Sequence, residues 1–218
     1  MSSAAVEEPR ALISSLCKQF YHQGWFTGTG GGISLRTGGR VYLAPTAVQK
    51  ERIEPEDLFE LDMDQNIVAR PANPALRTSA CLPLFYNAYL KRDAGAVLHS
   101  HSRHAVLATL MTPGPVLRLT HLEMLKGLRG KGYHDVVEIP IIENTAHECD
   151  LTAAMAEAMD RHPDVDAVLV RRHGVYVWGR DWTEAKTQAE CLDYLFATAL
   201  EMRRLGVDAA AVPADGGL

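Results

Sequence analysis

Two apolar runs, Gly95-Ala96-Val97-Leu98 and Ala167-Val168-Leu169-Val170, set the first limit on what this chain can fold into. Each is short, unbroken and free of polar residues, which fits a strand buried on both faces. Such a sheet needs helices to cover it. Helical stretches are present along the chain. Residues Pro9 to Gln23 carry Leu12, Ile13, Leu16, Phe20 and Tyr21 at helical spacing, with Pro9 suited to a first turn and Gly24 to a stop. Cys81–Lys91, Ser102–Met111, Leu122–Leu128, Leu151–Arg161 and Thr183–Leu205 read as further helices, the last with Thr183 as its cap.

The remaining strands are shorter signals. Ile33–Arg36 and Arg40–Leu43 form a hairpin across Gly38-Gly39. Leu58–Leu61 is a strand, followed by a turn at Asp64-Gln65-Asn66. Residues 69–78 hold two prolines and no period, and read as loop. Val136–Ile142 is β-rich and broken at Pro140, and Val175–Trp178 pairs back on Ala167–Val170 across Arg171-Arg172-His173-Gly174. No internal repeat or linker divides the 218 residues. The expectation is one α/β domain over 1–218 with a mixed, largely antiparallel sheet, and loose termini at about 1–8 and 207–218.

Charge and cysteine usage narrow the function classes. A net charge of −5 and a pI of about 6.0 argue against a nucleic-acid partner, which calls for basic patches. No apolar run is long enough for a membrane helix, and the N-terminus lacks a basic start and apolar core, so a cytoplasmic protein is expected. Cys17, Cys81, Cys149 and Cys191 are scattered and read as free thiols.

Histidine carries the clearest chemical signal. His99-Ser100-His101 follows directly on the apolar run Gly95–Leu98. Side chains two apart on a strand share a face, so both imidazoles converge at the strand end. Taken alone, the pair is met equally by two structural histidines; His104, close behind on a helix, reads as structural or supporting. His173, in a strand–turn–strand setting with Gly174 behind it, adds a third donor. Three histidines with an open position form a catalytic zinc arrangement, in which the ion acts as a Lewis acid on substrate oxygens. The glycine-rich loop Gly28–Gly32 can aim backbone N–H groups at an anion, but it lacks the pattern of a nucleotide loop. Glu123, on a mostly apolar stretch, could serve as acid and base if buried; Cys81 reads as a ligand, a substrate contact or a core thiol.

Together these motifs resemble the class II aldolase/adducin superfamily from about Leu16 to Leu205. The segments that carry the likeness are Leu16–His22, Trp25 with Thr27–Ser34, Val48–Ile53, Cys81–Phe85, His99–Ser102, Thr120–Met124, Pro140–Thr145 and Arg171–Gly179. Within the superfamily the likeness is to its dehydratase branch. The resemblance implies a three-layer α/β/α sandwich, a homotetramer with its active site near a subunit interface, and one Zn2+ per subunit on His99, His101 and His173. It implies Glu123 as catalytic acid and base, and Cys81 as a substrate contact. A phosphate site would draw on Gly31, Gly32, Thr46 and Ser79. The implied reaction is dehydration of 5-methylthioribulose 1-phosphate, a small phosphorylated ketose, in methionine salvage. The rival is a sugar-phosphate aldolase that cleaves a carbon–carbon bond at the same metal. A metal-free scaffold, the reading from another class, expects the ligand histidines to be lost. One departure stands out: Pro45-Thr46-Ala47 replaces the expected Pro-Ser-Gly.

Overall fold

The computed structural model describes residues 8–214. Helix α1 (Pro9–His22) starts on Glu8, whose side chain accepts from the N–H of Ala11. A hairpin follows, β1 (Gly32–Thr37) and β2 (Arg40–Leu43), then β3 (Phe59–Leu61) and β4 (Ile67–Ala69). Helix α2 (Leu82–Arg92) leads to β5 (Ala96–Ser100), α3 (Arg103–Met111) and β6 (Val116–Leu119). The chain continues through β7 (Val137–Ile142), α4 (Thr152–Arg161), β8 (Ala167–Val170), β9 (Gly174–Gly179) and α5 (Trp182–Arg204).

Among the described residues the strands form one sheet of nine, in the order β4-β3-β2-β1-β5-β9-β8-β7-β6. Every pairing is antiparallel except β7 with β8. Alternation along the central strands divides the interior in two. Ala96, Leu98, Val175 and Val177 face one core, which α1, α3 and α5 cover. Val97, Tyr176 and Trp178 face the other, which α2 and α4 cover. That is the three-layer α/β/α sandwich with a mixed, largely antiparallel sheet.

Residues 116–119 and 67–69 are strands for which the sequence offered no expectation beyond a loop from Ala69; each is short and flanked by prolines and turn residues. Four expectations are corrected. Leu122–Leu128 is not an α-helix but a 3₁₀ turn at Glu123–Gly127. Pro140 does not break its strand: β7 pairs with β6 up to Pro140 and with β8 from Ile141 onward, so its missing N–H falls where the pairing changes partner. Helix α5 is capped by Asp181, whose carboxylate accepts from the N–H of Glu184, and not by Thr183. The tail is tied down at least to residue 209: Val207 donates to Met202, Thr120 donates to the carbonyl of Ala209, and Ala209 is buried. The expected loose residues 1–7 and 215–218 lie outside the described residues.

Candidate metal and active site

Strand β5 delivers His99, and the turn after it delivers His101. Their Nε2 atoms lie 2.9 Å apart. Strand β9 runs beside β5, with Tyr176 opposite His99. The β8–β9 turn therefore brings in His173, whose Nε2 is 3.2 Å from that of His99 and 3.1 Å from that of His101. Gly174 permits the approach, because a β-carbon there would collide with the carbonyl of Ser100.

The outer ring nitrogens explain this convergence. Nδ1 of His99 faces the carbonyl oxygen of Val175 at 3.3 Å, and Nδ1 of His173 faces Oδ1 of Asn144 at 3.1 Å. Protons assigned to those nitrogens satisfy both acceptors and leave the Nε2 lone pairs of His99 and His173 turned inward. Lone pairs so close repel unless a cation lies among them. Burial lowers His101 to about 3 and His173 to about 4. Both are then neutral at physiological pH, as metal-binding imidazoles must be. The donor set fits a divalent ion with positions left for substrate.

A carboxylate that sequence patterning did not single out stands beside these rings. Glu148 follows β7 on a 3₁₀ turn, Glu148–Leu151. Its Oε1 is 3.0 Å from Nε2 of His99 and 3.8 Å from Nε2 of His173. The Tyr176 hydroxyl donates to the same oxygen at 2.6 Å, while the Tyr176 ring stacks on His99 with centroids 4.0 Å apart. Burial opposes the charge of Glu148, but its contacts with His99, Tyr176 and Cys81 outweigh burial and hold it well below the usual carboxylate range. Buried Cys81 groups with His99 and Glu148; burial, then the Glu148 charge, pushes its thiol well above the usual range. The sequence held no signal for Glu148, because the parallel pairing of β7 with β8 that brings this segment beside the His173 turn is set by the folded sheet.

The loops expected to hold phosphate meet in space. Thr46 donates its N–H to Arg77, Pro45 bridges to Thr78, and Ser79 Oγ accepts from the N–H of Cys81. Gly32 lies opposite His99 in the sheet, with Gly31 before it. Buried Lys50 joins two of these loops, donating to the carbonyls of Thr29 at 3.0 Å and Val48 at 3.3 Å. Burial lowers its pKa. Sequence analysis missed Lys50, since a lone lysine gives no pattern.

Glu123 does not join the histidines within one chain. It is exposed, and its carboxylate is paired with Lys126 at 2.8 Å. His104 stands apart as well, paired with Asp193 at 3.0 Å.

Residues 11–200 match the class II aldolase and adducin N-terminal domain. The chain belongs to this family. It is 56% identical to methylthioribulose-1-phosphate dehydratase of Mus musculus over 95% of this chain and 89% of that protein. Against the Homo sapiens methylthioribulose-1-phosphate dehydratase it is 54% identical, over 95% and 88%. Among solved structures, an L-fuculose 1-phosphate aldolase superposes with a TM-score of 0.77 at 18% identity, covering 97% of this chain and 93% of that one. The last likeness concerns the fold alone.

Family membership gives Ala47 its meaning. It holds φ at +56°, where glycine sits without steric cost and alanine does not. The left-handed backbone of the loop that presents Thr46 is therefore the conformation a glycine, expected there by resemblance, would take without strain.

Proposed function

We propose that this class II aldolase family member dehydrates 5-methylthioribulose 1-phosphate to 2,3-diketo-5-methylthiopentyl 1-phosphate, as a zinc hydro-lyase of methionine salvage. The observation that carries the metal-dependent part is the convergence of the His99, His101 and His173 Nε2 atoms within 3.2 Å of one another. Relatives above 50% identity that bear the dehydratase name support the substrate. The whole chain is taken as a single domain acting in the cytoplasm; no described helix is long and apolar enough to cross a membrane.

A divalent ion on the three histidines would supply Lewis-acid polarisation of the substrate's oxygens. The protein does the rest. The N–H groups of Gly31 and Gly32 and the hydroxyls of Thr46 and Ser79 grip the phosphate, with Lys50 locking two of their loops together. Cys81 contacts the substrate at the start of α2. Glu123 removes the proton from carbon 3 and passes a proton to the hydroxyl leaving carbon 4, which departs as water. The resulting enol takes a proton at carbon 4, gives up its hydroxyl proton and becomes the diketone.

Glu123 reaches a site only across a subunit boundary in this reading, so the active unit is a homo-oligomer, a tetramer. Its exposure and its place on an outward-facing turn support that arrangement.

The test is an assay of purified protein with 5-methylthioribulose 1-phosphate, following the diketone while metal content is measured. Turnover in step with bound zinc is expected; cleavage into two carbonyl fragments instead would make the protein an aldolase. Glu123→Gln should keep zinc and lose turnover, and His101→Ala should lose zinc.

A further inference from the structure

Glu148 has no part in the reaction just described, yet it lies nearer to the inward-facing imidazole nitrogens than Glu123 does in the same chain. Its Oε1 approaches two of the Nε2 atoms, at 3.0 and 3.8 Å. Two groups of atoms are poised to hold an ion here, the three histidines and the set Cys81, His99 and Glu148, with His99 common to both. A carboxylate facing an imidazole lone pair repels it. Nδ1 of His99 is already directed at the Val175 carbonyl, which leaves Nε2 as the atom that meets Oε1. A cation shared by the histidines and Oε1 turns that contact from repulsive to attractive.

The surroundings hold the carboxylate in place. Tyr176 donates to Oε1 at 2.6 Å and its ring is fixed by stacking on His99. Hydrogen bonds to a ligating carboxylate orient it in the way that partners of ligating histidines orient those rings. Glu148 itself opens a 3₁₀ turn between β7 and α4, and both its neighbours, His147 and Cys149, are exposed.

We infer that Glu148 is a fourth, exchangeable protein ligand of the metal, bound through Oε1 while substrate is absent and displaced when substrate oxygens arrive. The inference rests on the three-histidine metal site proposed above and adds a residue to it. It leaves Glu123 as the base.

The test uses the full-length protein loaded with Zn2+ or Co2+. Metal affinity is read by competition with a chromophoric chelator, and coordination by the visible absorbance of the cobalt form, which responds to ligand number and type. Glu148→Gln should weaken metal affinity at least ten-fold and change the cobalt spectrum. Glu148→Asp, which keeps the charge on a shorter arm, should fall between Gln and wild type. Adding 5-methylthioribulose 1-phosphate should bring the wild-type and Glu148→Gln cobalt spectra together. Unchanged affinity and spectrum in Glu148→Gln overturn the inference. Lost turnover in that variant with an unchanged spectrum also overturns it, and makes Glu148 a group that acts on substrate. A wild-type protein that holds no metal would instead remove the three-histidine reading, whereas intact metal binding that only His101→Ala abolishes would remove the role of Glu148 alone. Circular dichroism of each variant checks that the fold is kept.

Discussion

Gly30 and His101 occupy one space: a β-carbon on Gly30 would collide with Nδ1 of the His101 ring. The loop next to β1 thus sets the pose of the imidazole that follows β5. Gly30→Ala should push His101 out of line with His99 and His173. Because the loop is partly exposed, overall stability should change by no more than about 1 kcal/mol, while zinc affinity drops. Isothermal titration of the metal-free variant alongside a thermal melt would check this; full affinity would mean the loop adapts without moving the ring.

The proposed trans-acting Glu123 can be tested by mixing two dead proteins. Glu123→Gln retains its histidines, and His101→Ala retains its glutamate. Co-expressed with separate tags and purified through both, mixed oligomers should contain roughly a quarter of sites with both groups intact, if subunits assort at random. Turnover in the doubly purified fraction, absent from either parent, is the expected result. A fraction as silent as its parents would place Glu123 in its own subunit's site or outside the reaction.

Ala47 should be a point of stored strain. Its left-handed backbone costs an alanine roughly 1 kcal/mol relative to glycine, partly offset by glycine's greater freedom when unfolded. Ala47→Gly should therefore raise stability by about 0.5 kcal/mol and shift the melting temperature by about 1–2 °C in a chain of this length. A lower melting temperature would show that the loop does not need the left-handed conformation. Steady-state kinetics of the same variant would show whether KM for the phosphorylated substrate follows.

Thiol chemistry should separate the four cysteines. Cys17, Cys81 and Cys191 are buried and Cys149 is exposed. Burial raises Cys191 and pushes Cys17 up to about 12, so at neutral pH neither offers a thiolate. Brief alkylation of the native protein should label Cys149 alone, with the others reacting only after denaturation; peptide mass spectrometry reads the pattern. Early labelling of Cys17 would contradict its burial on the inner face of α1.

What could be read from the sequence follows from how local each signal was. His99 and His101 were legible because a strand end holds residues two apart on one side even where, as here, the second lies just past the strand, and His173 because a tight turn between two apolar runs has few places to go. Strands β6 and β4 were hidden by length: residues 116–119 and 67–69 are too short to show a period, and their pairing partners create them. Pro140 misled because a proline counts against a strand only where its missing N–H would be used. Glu148 and Lys50 were invisible for the opposite reason: each works through partners far along the chain, His99 and Tyr176 for one and Thr29 for the other. Glu123 was read from its apolar setting as an acid and base if buried, and from resemblance as catalytic; within one chain it is exposed and paired with Lys126.

The sheet ends on two stubs. Strand β4 has three residues and β6 has four, against six in β1, β7 and β9. A border so brief offers a passing strand few hydrogen bonds, which guards an otherwise wide sheet against growing by strand addition into aggregates. The broader surfaces left for contact are helices and turns, the kind of surface on which Glu123 stands.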